Sequence, residues 1–326
     1  MTRKFDLSWR IGMAILLLCT TLILTVLPAA ADYTADNELV TYAQGTITGD
    51  MNYTIGDSYY SPKMWSNGSY TYTTNLPQAV PADPDVEDII GRLYVYWTWS
   101  YNATDGVNQG VNPIMNVTFN GAQLTREIRY YDSKGFDPYN YPSGTDCYNI
   151  LDYNNDLSTN IVNITNAYGS AYSQSFNIQA VGLLTLYNNS NSNVQKNYWI
   201  DEGCDLTYTK WNATSQSWEY NLDPENTTCT AHFSNVNNNS VNSATLITVA
   251  PSAGTQYNRL YLNNNHWDGV WDGSPRDSNF SWNTTNVLNC LNDGQNNVKF
   301  RNGLENDIHY TDGQMEASNA FLLVTY

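Results

Sequence analysis

The chain closes its middle and its end with the same apolar run. Ala180-Val181-Gly182-Leu183-Leu184-Thr185-Leu186-Tyr187 and Asn319-Ala320-Phe321-Leu322-Leu323-Val324-Thr325-Tyr326 both finish in Leu-Leu-x-x-Tyr. Earlier segments repeat in the same order and at a similar offset. Tyr148-Asn149-Ile150-Leu151 has a weak counterpart in Thr285-Asn286-Val287-Leu288. Asn116-Val117-Thr118-Phe119-Asn120-Gly121 resembles Asn258-Arg259-Leu260-Tyr261-Leu262-Asn263, and Arg92-Leu93-Tyr94-Val95-Tyr96-Trp97 matches Ala244-Thr245-Leu246-Ile247-Thr248-Val249. Several weak matches in one order favour an internal duplication over the chance similarity of alternating strands. No long stretch places apolar residues at helical spacing, and strong helix formers are scarce. Tyr (26) and Trp (10) suit strands, whereas Asn and Gly punctuate turns. Each copy then holds about seven or eight short strands, the pattern of a sandwich or jelly roll. The expected fold is all-β, two tandem jelly-roll/β-sandwich domains over 32–190 and 191–326. Their boundary is expected in the polar stretch Asn188-Asn189-Ser190-Asn191-Ser192-Asn193. Residues 32–38 read as a flexible lead-in, and Pro77 to Pro84 as a loop.

Residues 1–31 carry the compartment. Arg3, Lys4 and Arg10 precede an apolar run from Ile11 to Leu27, and Ala29-Ala30-Ala31 supplies a small-x-small cleavage site. That order is a secretory signal peptide. An uncleaved anchor is the alternative, since the run approaches the length of a membrane span; the Ala-x-Ala site favours cleavage. No later run is as long, so the expectation is a secreted, extracellular cell-surface protein without a membrane span in the mature chain. Removing the leader, with Arg3, Lys4 and Arg10 against Asp6, takes the net charge from −17 to −19. Such acidity excludes nucleic acid as a partner, because the phosphate backbone needs a basic footprint.

Cys19 lies in the leader, which leaves Cys147, Cys204, Cys229 and Cys290. An even number in an exported chain reads as two disulfides, with three connectivities open. The preferred pairing is Cys204–Cys229, close in sequence, with Cys147–Cys290, which flank corresponding strands of the two copies. Each bridge would contribute about 3 kcal/mol. No C-x-x-C spacing points to zinc. Asn52, Asn67, Asn102, Asn116, Asn163, Asn188, Asn212, Asn226, Asn238, Asn279 and Asn283 begin Asn-x-Ser/Thr triplets that can accept glycans. Chance alone gives roughly eight such triplets at this composition, so the number proves little.

Catalytic constellations are nearly absent. His232, His266 and His309 form no H-E-x-x-H, and no G-x-S-x-G elbow or phosphate loop occurs. Asp201 and Glu202, in Trp199-Ile200-Asp201-Glu202-Gly203, invite a glycosidase reading, but adjacent strand residues point to opposite faces. A strand end entering a turn at Gly203 is the favoured explanation. No cofactor is expected. Asp152, Asn154 and Asp156 alternate as in a calcium loop, yet Leu157 replaces the turn glycine and no Glu follows at position twelve, so an Asn/Asp turn is preferred. The run from Tyr94 to Tyr101 places Tyr94, Tyr96, Thr98 and Ser100 on one face and Val95, Trp97, Trp99 and Tyr101 on the other. A core strand covered on both sides is preferred there to a sugar platform. Trp267 and Trp271, in Trp267-Asp268-Gly269-Val270-Trp271-Asp272-Gly273, are the better glycan-contact candidates, although packing of the loop on its own domain is the preferred reading there too.

Leu93-Tyr94-Val95-Tyr96-Trp97, Val117-Thr118-Phe119-Asn120-Gly121, Tyr198-Trp199-Ile200-Asp201-Glu202-Gly203-Cys204-Asp205, the Leu246 and Leu260 strands and the closing Asn319–Val324 run carry a resemblance. In that order they resemble a domain of unknown function found in exported cell-surface proteins, chiefly of methanogenic archaea. The resemblance covers most of the mature chain. It implies an envelope location and a β-sandwich build, and brings no catalytic residues. Family members often continue into repeat domains or a membrane anchor, whereas this chain ends on a strand. The expected function is a non-catalytic structural subunit of an extracellular layer, sheath or filament, partnered by itself or other envelope proteins. The alternatives are an adhesin or carbohydrate-binding module that takes surface glycans, and a secreted hydrolase.

Overall fold

A computed structural model describes residues 35–326, apart from 67, 79, 105–106, 136–139, 154–157, 170–172, 213, 220–222, 254–257, 272–279 and 304–311. The expected signal peptide, the triplets at Asn67 and Asn279, and Asn154 and Asp156 of the acidic turn therefore lie outside the described residues.

The first half of the chain contributes β1 (Val40–Ile47), β2 (Asp50–Thr54), β3 (Met64–Trp65), β4 (Tyr72–Pro77), β5 (Val86–Thr104) and β6 (Val107–Gly110). It continues with β7 (Met115–Phe119), β8 (Ala122–Gln123), β9 (Ile128–Asp132), β10 (Ser143–Asn149), β11 (Thr159–Asn166) and β12 (Gln174–Asn189). The second half adds β13 (Lys196–Asn212), β14 (Ser217–Trp218), β15 (Thr228–Val236), β16 (Ser243–Pro251) and β17 (Asn258–Leu262). It ends with β18 (Asn265–Asp268), β19 (Phe280–Asn286), a 3-10 turn (Leu288–Cys290), β20 (Gly294–Asn302) and β21 (Asp312–Thr325).

A broad sheet β2-β12-β5-β10-β9 faces a narrow one, β4-β11-β7-β8; a second broad sheet β1-β13-β21-β16-β19 faces β15-β20-β17-β18. Both pairs wind in the same order. Counting β2, β4, β5, β7, β8, β10, β11 and β12 as one to eight, the broad sheet runs 1-8-3-6 and the narrow sheet 2-7-4-5. Counting β13 and β15 to β21 without the 3-10 turn gives the identical order. This is a jelly roll in each half, and all-β architecture is as expected. Every segment match read from the sequence falls on equivalent strands: β5 with β16, β7 with β17, β10 with β19, β12 with β21.

The two closing runs read as continuously apolar because each lies inside a broad sheet buried on both faces. In β5, Leu93, Val95 and Trp97 enter the first outer core with Val117, Phe119, Val162 and Ile164. Tyr94 and Tyr96 point the other way, into a central core shared with Tyr198, Ile200, Ile247 and Phe321 of the second broad sheet. Trp199, Leu246, Leu322 and Val324 turn to the second outer core, against Phe233, Leu260, Val298 and Phe300. The molecule is thus four β layers deep, narrow sheets outside and broad sheets back to back.

Three local expectations change. The alternation of β5 breaks at Trp99, whose φ of 53° turns its side chain out to solvent. Gly203 ends no strand; β13 runs through it with a bulge between Glu202 and Asp205. The described part of the lead-in, residues 35–38, is bound: the Ala35 N–H meets the Leu206 carbonyl and the Asn37 N–H meets Asp205 Oδ1, each at 3.4 Å. The boundary stretch forms the turn after β12, where the Ser190 N–H meets the Asp85 carbonyl at 2.8 Å. β1, although N-terminal to that turn, pairs with β13 beyond it.

Candidate functional site

The β17–β18 hairpin turns through Asn263 and Asn264, and Asn263 takes a φ of 54°, a left-handed conformation that Asn tolerates. Its side-chain amide donates to the Cys290 carbonyl at 2.8 Å, fastening the hairpin tip to the 3-10 turn. Between tip and turn lies an open groove of ≈ 590 Å³, lined by Asn264, Asn265, His266, Trp267, Asn286, Leu288, Asn289 and Cys290. Trp267 is half-buried, with part of its ring on the second outer core. Four amides beside an indole suit a sugar: amides meet hydroxyls, and the ring meets the apolar face. Among the described residues no carboxylate lines the groove. Asp268 is held by Arg259 at 2.5 and 3.1 Å, which keeps its carboxyl below the usual range. A glycosidase needs two carboxyl groups flanking the scissile bond, whereas the described lining offers amides, an imidazole and an indole.

Trp271 is a correction. It is wholly buried, stacked on Phe300 with centroids 5.0 Å apart, and its Nε1 donates to Thr248 Oγ1 at 3.1 Å. It is core, out of reach of any glycan. An aromatic that alternation hid is Trp99, exposed and 5.9 Å from the Tyr141 ring; its bulge carries no sequence signal.

Asp201 and Glu202 do point to opposite faces. Glu202 enters the central core, where Arg92 Nε and Nη2 grip it at 2.7 and 2.8 Å and the Tyr94 hydroxyl donates at 2.8 Å. Burial works against the Arg92 charge, but Glu202 outweighs it and holds the guanidinium protonated. Tyr96 donates to Asn319 Oδ1 at 2.7 Å alongside, and burial pushes both tyrosines far up. Asp201 lies on the other face, accepting the His232 N–H at 3.1 Å. Glu202 is sealed from solvent with its lone pairs occupied, which suits structure and not substrate.

All four cysteines are free thiols, which departs from the two expected disulfides. Cys147 lies in the central core, whereas Cys290 sits against the second outer core. Equivalent strand ends thus face different cores, so the Cys147–Cys290 clamp is not formed. Cys204 and Cys229 are both buried, and burial pushes both thiols well up. Cys204 Sγ donates to the Ser143 carbonyl at 3.6 Å and Cys229 Sγ to that of Asn37 at 3.5 Å.

Of the glycan-acceptor asparagines, Asn52, Asn116, Asn226 and Asn238 are exposed, while Asn102, Asn163, Asn188 and Asn283 are half-buried. Asn212 ends β13. Asp152 is exposed in a turn. A separate acidic group joins Asp36, Asp132 and Asp205, with ligand oxygens within 4.8 Å of one another. Burial, then the Asp36 and Glu316 charges, push Asp132 up to about 7 against its backbone hydrogen bonds; burial and Asp132 push Asp205 up to about 8. Among the described residues no helix is long and apolar enough to cross a membrane.

A family model described as a protein of unknown function, DUF3344, matches residues 32–325. The chain belongs to the DUF3344 family. No curated protein matches it. Among solved structures, the DUF3344 chain is similar to PNGase F, a glycosylasparaginase from Flavobacterium meningosepticum, at 10% identity and a TM-score of 0.25, covering 86% of this chain and 96% of that one. A beta-porphyranase of glycoside hydrolase family 86 from the human gut bacterium Bacteroides plebeius gives 14% identity and a TM-score of 0.23, over 77% of this chain and 39% of that one. This DUF3344 chain therefore spans about two fifths of the porphyranase's length.

Proposed function

We propose that the protein is an exported, non-catalytic envelope protein that pairs with copies of itself as a subunit of an extracellular layer, sheath or filament. One observation carries this reading: both outer strands of the second broad sheet are bare. β1 (Val-Thr-Tyr-Ala-Gln-Gly-Thr-Ile) and β19 (Phe-Ser-Trp-Asn-Thr-Thr-Asn) have no further strand beside them among the described residues, and neither holds a charge or a proline. Strand edges are normally guarded by such residues, because an unguarded row of N–H and C=O groups templates pairing. β1 of one copy on β19 of the next would make a heterologous contact, which extends into a filament where its rotation does not close. The leader-like residues 1–31 and the acidic surface support export, and the resemblance of the sequence supports an archaeal envelope.

Light scattering and negative-stain microscopy test the reading. Regular polymers are expected, and Val40→Lys with Gln44→Lys should abolish them. A protein that stays monomeric under all conditions overturns it. The groove beside Trp267 favours a second reading, an adhesin that holds surface glycans. A glycan-binding screen should then give hits that Trp267→Ala removes.

A further inference from the structure

Three segments far apart in sequence meet at carboxylates. Asp36 precedes β1, Asp132 ends β9 of the first broad sheet, and Asp205 sits at the bulge of β13 in the second. Asp205 is fully buried. Its Oδ1 accepts the Asn37 N–H at 3.4 Å, and its Oδ2 has no hydrogen-bond partner. Asp132 accepts the N–H groups of Leu206 at 2.8 Å and Ser133 at 2.6 Å, so β9 and β13 are already joined here. Among the described residues no ion pair neutralises Asp132 or Asp205. Buried carboxylate oxygens without donor or counter-charge are rare, because desolvation is left uncompensated. A bound cation would supply what is missing.

We propose that Asp36, Asp132 and Asp205 bind a calcium ion that ties the N-terminal segment and the two broad sheets together. Oxygen donors select a hard cation. Two oxygens on opposite sides of a calcium ion stand about 4.8 Å apart, so the carboxylates need little movement to share one. The neighbouring Cys229 thiol donates to the Asn37 carbonyl and lies beside Asp205, whose carboxyl it holds down against burial. The site does not depend on whether the protein assembles.

Calorimetric titration of the EDTA-stripped protein with calcium chloride, together with thermal unfolding, tests the assignment. One ion per chain is expected, with a rise in Tm of roughly 5 °C at saturation. Asp205→Asn and Asp36→Asn should each weaken binding about tenfold or more. Asp36 is exposed, so its variant folds whatever becomes of the buried one. Stripped Asp205→Asn should be at least as stable as the stripped parent, since it removes an uncompensated charge. No binding at millimolar calcium overturns the proposal. So does binding that both variants leave unchanged, which would put the ion elsewhere.

Discussion

Trp267 and Trp271 stand four residues apart and meet opposite fates. Trp271→Ala removes a buried ring stacked on Phe300 and orphans Thr248, a loss of about 3–5 kcal/mol expected in urea denaturation. Trp267→Ala should cost far less stability and show instead in glycan binding. Burial has a different consequence at Asp201. It pushes the carboxyl up to about 6, against the Thr41 hydroxyl and the His232 N–H and charge. The folded state then holds the proton more tightly than the unfolded one, whose value is about 3.9. The stability this contributes is present in full below about pH 4 and is lost as the pH rises through 6, up to about 3 kcal/mol in all. Asp201→Asn should therefore raise Tm at pH 8 relative to the parent and bring no gain at pH 4. A gain independent of pH would assign the effect to packing. The opposed directions of Asp201 and Glu202 were legible, because a strand alternates. The fate of the two tryptophans was not, since a loop has no period.

At the scale of the element, alternation held until a bulge intervened. β12 sends Phe176 and Ile178 to the first outer core, then Val181 and Leu183, the phase having slipped at the register shift between Ile178 and Ala180. Trp99 and the Glu202–Asp205 bulge break phase in the same way. Each inserts a residue without a marker in the sequence, which is why strand identity could be read and facing beyond the bulge could not. One glycine does bear on the pairing of β10 with β5. A Cβ on Gly144 would lie 2.3 Å from Trp97 Cζ2 and 2.6 Å from the Tyr130 carbonyl oxygen. Gly144→Ala must push the Trp97 ring or part β10 from its neighbours, so about 1–3 kcal/mol is expected to be lost. Thermal unfolding would show a Tm lower by several degrees; an unchanged Tm would mean the ring has room to shift.

For the whole molecule, the repeated order of weak motifs foretold two copies, but it did not foretell that they share a core. A face carrying tyrosines, an arginine and a glutamate reads as partly wet, and only a partner sheet with matching groups makes it buriable. Arg92 of β5 and Glu202 of β13 are that match, one from each half, both without solvent exposure. Arg92 also meets Glu127, which is 46% exposed and can turn to water. Arg92→Met alone leaves Glu202 charged and buried without its counter-charge, so a loss of about 3–5 kcal/mol is expected. Replacing both, with Glu202→Leu, removes the stranded charge and should recover most of that loss. The double-mutant cycle thus reads the coupling between the halves directly. Because the central core spans both halves, urea should unfold the parent in one transition, seen alike by tryptophan fluorescence and circular dichroism. If Arg92→Met splits that transition in two, the pair is what makes the halves unfold as one. If it only lowers the midpoint, the aromatic packing of Tyr94, Tyr96, Tyr53 and Phe321 holds the seam, and the ion pair fixes its register.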